Sequence, residues 1–380
     1  MAATKFMESG SDATQGLEFY TATSGTVASA TDQAHDGPRS IKCSTGAGPT
    51  LANCYKAGIL ADTGRRISLW FRFDTAFAAT AGIFSTPQSD GVTQVIVVQM
   101  TSSRTLILSP TGATSASGST VLATNTWYRL ALSYYITNTT TYTAKLYIHD
   151  SNNILLETLT ANAGTLSLTT TNALSIRVGA PAGANRNVWF DSIFVDDGAS
   201  SASQPDTGDI RVTAKRPFAN GTTNGFTGTG AGSGYGSGNA VYVNEQPLNV
   251  ATYVSVVAAG VTTEEYNVED RATGDVDLTG NAIVDLCGWL YAKAAMAETG
   301  SMVLNGATSN ISLTSTTTMF QAYAGATSYP AGTGTDIGIV TTALATTVTL
   351  YEAGILVAYT PFKAFWGAGA SQLLSGGYGA

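Results

Sequence analysis

Three aspartates stand among bulky apolar residues in "NVWFDSIFVDDG", residues 187–198, and carboxylates at such spacing could hold a divalent cation. A calcium loop of the EF-hand type needs oxygen ligands at alternate positions, but the third and fifth residues counted from Asp191 are Ile193 and Val195. The stretch reads instead as a late strand: Ile193 and Val195 in the core, Asp196, Asp197 and Gly198 as its terminator and turn, and Asp191 fixing the strand end by hydrogen bonding. A second acidic stretch, "TTEEYNVEDR" (262–271), places Glu265 and Glu269 four apart, where they could serve as acid and nucleophile in glycan cleavage. Nothing else marks a cleft there, and a solvated strand or loop is expected.

The remaining chemistry-bearing residues are sparse. His35 and His149 are the only histidines, and neither neighbours a serine elbow or a cysteine motif. The glycine-rich "GTGAGSGYGSGN" (228–239) lacks the Gly-Lys-Ser/Thr of a phosphate loop and reads as a mobile surface loop. Trp70, Trp127, Tyr128, Tyr134, Tyr135 and Tyr142 could form a sugar-stacking platform, but aromatic residues are also preferred in strands, and core or cross-strand packing is the expectation. The sequons at Asn138, Asn220 and Asn310 are what chance supplies in a Thr-rich chain. No catalytic residue, cofactor or metal is expected; the chain reads as non-enzymatic, and structural calcium has no supporting ligand set.

Elements made of short polar and apolar runs must position these residues. The chain has 380 residues, room for two domains, and only 12% of them are charged, against about 25% in an average soluble domain. Thr, Ser, Gly and Ala fill the surface, which suits β-structure and close lateral contact, and favours an assembly over a freely diffusing enzyme. Eighteen Lys and Arg against 26 Asp and Glu leave a net charge of −8, without a basic run, so nucleic-acid binding is not expected. No apolar stretch long enough for a signal or a membrane span is present, so neither a membrane nor a classical secretory route is expected. Three cysteines argue for reduced thiols. Cys43 and Cys54 could nevertheless lie opposite each other on paired strands, and a bridge between them stays open.

Period-two alternation dominates the first half. In "RRISLWFRF", Ile67, Leu69, Phe71 and Phe73 point one way and Ser68, Trp70 and Arg72 the other, predicting a half-buried strand. Runs at 92–100, 104–109, 127–136, 142–150 and 173–179 behave alike. The prediction is an all-β chain of two antiparallel β-sandwich or jelly-roll domains: residues 1–197, a linker at 198–209, a second β-sandwich at 210–364, and a Gly-rich C-terminal arm at 365–380. A flexible glycine-rich stretch is expected from Ala219 to Gly238. Further on, "YAKAAMAE" is helical by propensity, but its neighbours make it a strand. On the arm, Phe365, Trp366, Leu373 and Leu374 are candidate assembly contacts, since an isolated tail would expose them to water.

The runs "HDGPRSIKCS", "RRISLWFRF", "TWYRLALSYYITNTTTYTAKLYIHDSN" and "NVWFDSIFVDDG" resemble the laminin-G-like, concanavalin-A-like jelly roll over roughly residues 5 to 197. The continuation "VDDG … GDIRVTAKRPFANGTTNGFT … YVNEQP" is similar to tailed-bacteriophage virion proteins in which such a jelly roll precedes a second β-domain. That resemblance implies a non-enzymatic structural protein exposed on the virion, as capsid decoration, head fibre or tail-associated component. It implies other virion proteins as partners, a homo-oligomer, weak adhesion to host surface glycans, and assembly in the host cytoplasm. The competing expectation is a lectin-like carbohydrate-binding protein outside any particle.

Overall fold

The computed structural model describes residues 4–9, 17, 20–46, 51–60, 64–87, 94–112, 114–138, 141–162, 174–181, 185–200, 203–230, 237–243, 251–257, 261–269, 271–273, 276–325, 336–341 and 346–361. It is all-β, and every strand pairing is antiparallel, as the alternation predicts. The arm residues Phe365, Trp366, Leu373 and Leu374 lie outside the described residues.

Four sheets form two sandwiches. An eight-stranded sheet runs in the order Leu155–Asn162, Thr141–His149, Tyr128–Asn138, Gly64–Phe73, Arg186–Asp196, Ser40–Thr45 and Thr26–Ala30, with Thr4–Glu8 also paired to Arg186–Asp196. Facing it is a seven-stranded sheet ordered Ala116–Ser117, Leu106–Pro110, Gln94–Met100, Ala81–Pro87, Leu174–Ala180, Ala52–Leu60 and Ala22–Ser24. Residues beyond 210 build a six-stranded sheet around Thr347–Thr360 and Ala282–Ala294, and a five-stranded sheet from Pro217–Asn224 to Ala307–Leu313.

The first core follows from the strand pattern. Leu69 sits opposite Leu130, and Ile67 opposite Leu132, on neighbouring strands. All four are buried, and they belong to one apolar cluster with Val98, Ile176 and Val178 of the other sheet. Full burial of each such side chain contributes about 1.5–3 kcal/mol. Ile193 and Val195 are core residues, as read from the sequence. Cys43 and Cys54 are free, buried thiols. They belong to opposite sheets and interact across the core rather than on paired strands, because a chain that switches sheets between them cannot place them side by side in one ladder.

Other expectations need correction. The second face of Gly64–Phe73 is not solvated: Ser68 and Trp70 are fully buried, because the loop around His35 and Arg211 cover it. Much of the glycine-rich stretch is strand, Pro217–Asn224 pairing with Thr262–Val268 and Thr227–Thr229 with Tyr253–Val257, so backbone pairing holds what the composition would leave loose. Residues 231–236 lie outside the described residues. Tyr291–Ala294 continues the strand Ala282–Ala294 despite its helical propensity, because its alternate residues Leu290, Ala292 and Ala294 fill the second core.

That strand is buried on both faces. Cys287 and Trp289 point away from the second core and join the first, together with Leu356 and Ala358 of Thr347–Thr360. The two sandwiches therefore share apolar surface.

Candidate functional site

Asp191 lies mid-strand, not at the strand end. The register with Gly64–Phe73 shifts between Asp191 and Phe194, and Ser192 takes a positive φ of 48°, which marks a β-bulge. The bulge turns the carboxylate toward the 35–36 loop. Its Oδ2 accepts from His35 N at 2.8 Å and Asp36 N at 3.0 Å, and Oδ1 accepts from Ser192 N at 2.7 Å. Burial pushes the Asp191 carboxyl well above its ordinary range, against the pull of these three donors.

Around it sits a joint between the sandwiches. His35 stacks on Trp70 with ring centres 3.7 Å apart, and burial lowers its pKa to about 3, so the ring is neutral. Arg211 stands over the same indole and pairs with Asp209, while the Tyr359 hydroxyl donates to the Asp36 carboxylate. Among the described residues no three His, Cys, Asp or Glu side chains converge as a metal site.

The other sequence candidates separate. Asp196 does end its strand, accepting both Arg66 nitrogens at 2.7 and 2.6 Å and the Gly198 N–H at 2.9 Å, while Asp197 is half-buried. In the acidic stretch the buried residue is Glu264, which accepts from Phe226 N and Asn239 Nδ2, both at 2.8 Å. Glu265 is half-buried, and Glu269 is tied to Arg216 N at 3.1 Å, so the stretch is neither solvated throughout nor a paired-carboxylate cleft. His149 lies beside Arg129 and Asp206. Trp70, Tyr128 and Tyr134 are core residues, Trp127 and Tyr135 are half-buried, and the side chain of Tyr142 lies outside the described residues. The five described aromatics form no common platform.

A cleft the sequence reading did not identify opens on the outer face of the seven-stranded sheet. It measures about 310 Å³, the lower end of the roughly 300–1,000 Å³ typical of small-ligand sites. Alternation builds its floor. In Leu174–Ala180, Ile176, Val178 and Ala180 enter the core, so Arg177 and Gly179 face outward. Arg177 is paired with Tyr55 on one side and Ser85 on the other, and Ser85 with Val97. Tyr55, Arg177, Ser85 and Val97 thus form one lateral row across four strands, each step about 4.8 Å.

Asn53, Gln94 and Gln99 add carboxamides to the rim. Gly179 permits the close strand approach, since a Cβ there would meet Asn53 Cβ at 2.5 Å. Arg177 is the one charged side chain among the described cleft-lining residues, and a guanidinium presents its donors as a planar fork. The cleft therefore offers a cation and amide donors and acceptors, with the Tyr55 ring beneath the guanidinium outside the lining. Arg177 could meet an anionic group laid across the strands. The signal lay in "ALSIRVG", where Arg177 alternates with core residues, but the strands that flank it are not written in the sequence.

No protein-family model matches the chain, and no curated protein matches it. Several solved structures are similar in arrangement. An endo-β-1,4-glucuronan lyase from the fungus Trichoderma reesei is 12% identical, with 54% of this chain and 98% of that one covered at a TM-score of 0.40. A PL-14 alginate lyase from Aplysia kurodai is 11% identical, covering 51% and 98% at a TM-score of 0.41. Domain 4 of AbnA, a GH43 extracellular arabinanase from Geobacillus stearothermophilus, solved with arabinotriose, is 15% identical, covering 53% and 96% at a TM-score of 0.33. At these levels the likeness concerns the β-sandwich fold alone. The expectation of a non-enzymatic chain is withdrawn: polysaccharide lyases stand among these structures, and sparse sequence motifs do not decide whether such a chain carries chemistry. Side chains from distant strands can meet on a sheet face without leaving a sequence motif, and a fold does not by itself fix the presence or absence of an activity.

Proposed function

We propose that the chain binds an anionic polysaccharide in the cleft on the outer face of the seven-stranded sheet. The observation that carries this reading is Arg177 beside Ser85 on paired strands, with Asn53, Gln94 and Gln99 lining the same cleft. A guanidinium takes a sugar carboxylate in two parallel hydrogen bonds. Carboxamides serve hydroxyls as both donors and acceptors. This is the lectin-like alternative read from the sequence, given a location. The similar structures include lyases of glucuronan and alginate and a domain solved with arabinotriose, and these polymers are the probes chosen. The setting on a tailed-phage particle, as decoration or fibre, draws no support from these structures and forms no part of the reading.

The test is affinity electrophoresis of the full chain through gels containing glucuronan, alginate or neutral arabinan, with the same incubations analysed for shortened or unsaturated chains. Retardation by a uronate polymer that disappears in Arg177→Ala and weakens in Gln99→Ala supports the reading. Equal migration in every gel, or retardation indifferent to both substitutions, overturns it.

A further inference from the structure

On the opposite face of the same sandwich, Arg129, Tyr147 and His149 project from the outer side of the eight-stranded sheet. Arg129 and His149 are directly opposite each other on paired strands, and Tyr147 lies two residues along from His149 on the same face. We propose that these three side chains form a docking site for an acidic peptide segment of a partner protein, held closed in this structure by the chain's own residues 204–206.

The occupant shows what the site recognises. Arg129 donates through its two terminal nitrogens to both Asp206 oxygens, at 2.8 and 2.7 Å, and His149 Nε2 lies 3.0 Å from the same carboxylate. The Tyr147 hydroxyl donates to the backbone carbonyl of Gln204 at 2.6 Å. A main-chain carbonyl and a carboxylate two residues later are features of an extended acidic peptide, and arginine forks are a common means of reading such motifs.

The cradle is made by the sheet rather than by its occupant. Arg129 Nε donates to Asn153 Oδ1 at 2.5 Å. Asn153 belongs to the hairpin turn that Asp150 organises by accepting from Asn152 N and Ile154 N at 2.9 and 2.8 Å, and it holds a left-handed φ of 60°. Residues 129–154 therefore aim the guanidinium without help from the 204–206 segment. Beside the cradle, Ile154, Leu155 and Leu156 are 61%, 51% and 41% exposed, and Leu155 is paired with His149. The strap leaves this apolar ledge uncovered, and a longer peptide in its place would set an apolar side chain on it. A partner must outcompete a segment tethered at an effective concentration on the order of millimolar, which makes the strap autoinhibitory.

The experiment uses a fluorescent peptide of residues 203–209 and fluorescence anisotropy with the full chain. Asp206→Ala empties the carboxylate position, and the peptide is expected to bind this variant at least about tenfold more tightly than wild type, while the peptide carrying Asp206→Asn does not bind. Equal affinity for both chains, or binding indifferent to the peptide's aspartate, overturns the proposal. Displacement of the peptide by D-glucuronate as readily as by unlabelled peptide also overturns it, transferring the site to acidic sugars. Should Asp206→Ala not fold unaided, its refolding yield with the wild-type peptide against the Asp206→Asn peptide makes the same test: a yield raised by the former alone supports the proposal, and equal yields sink it.

Discussion

The Arg177 guanidinium stands over the Tyr55 ring, 6.0 Å from its centre, because the two residues are directly opposite on paired strands whose other faces fill the core. The stacking fixes the direction of the cation. Arg177→Ala is expected to reduce affinity for a uronate polymer roughly 10- to 100-fold, the range given by losing a charge-assisted hydrogen bond. Arg177→Lys retains the charge but not the planar fork and should recover only part of it. Titration calorimetry on the three proteins checks this.

Asp206 holds the strap by charge. The Arg129 guanidinium beside it keeps its carboxyl well below the usual range, overcoming the opposing effect of burial. A group whose folded pKa is depressed contributes stability above its unfolded value and loses it as pH falls through the folded one. The stability difference between wild type and Asp206→Asn should thus be full at pH 6 and shrink steadily below about pH 4. At neutral pH, Asp206→Ala should cost about 3 kcal/mol, since it removes the carboxylate partner of a buried guanidinium. Urea midpoints across pH report both.

Asp191 carries the opposite sign. Burial raises its folded pKa above the unfolded value, so its favourable contribution is complete below about pH 4 and is lost as pH rises through the folded value. Relative to Asp191→Asn, wild type should lose stability progressively as pH rises above about 4. The amide's loss of one acceptor, the one that serves Ser192 N, shifts the curve without changing its slope. Thermal melts of the two proteins from pH 4 to 8 give the comparison, and parallel curves would contradict it.

Tyr359 links the last strand of the second sandwich to the first through Asp36. Tyr359→Phe leaves a buried carboxyl short of a donor and is expected to cost about 1–3 kcal/mol. The loss falls on the contact between sandwiches, so calorimetry should show the single melting transition broadening or dividing, while circular dichroism at low temperature is unchanged.

Individual residues show where sequence reading succeeded and where it stopped. Strand existence was legible because alternation is local: Ile67, Leu69, Phe71 and Phe73 are all core, as their spacing requires. The covering of the other face was not. Trp70 looked half-exposed because the loop carrying His35, 35 residues earlier, and Arg211, far later in the chain, lie over it only after folding. Asp191 was read as an end-of-strand residue because a bulge is a mismatch between two strands and leaves no mark on either alone. Glu264 drew less notice than Glu265, since parity in "TTEEYNVED" identifies two faces but not which one is buried.

The amino-acid sequence by itself determined that this chain is all-β, where most of its strands lie and which alternate residues enter the cores, because side-chain direction in a strand has period two and apolar burial follows it. Only the tertiary structure decided which strands are neighbours. That choice sets Arg177 between Tyr55 and Ser85, and Arg129 beneath Asp206. Lateral strand order depends on long-range pairing, whose hydrogen bonds join backbones and carry no residue-specific signature, so sites assembled across a sheet exist in the fold before they can be seen in the sequence.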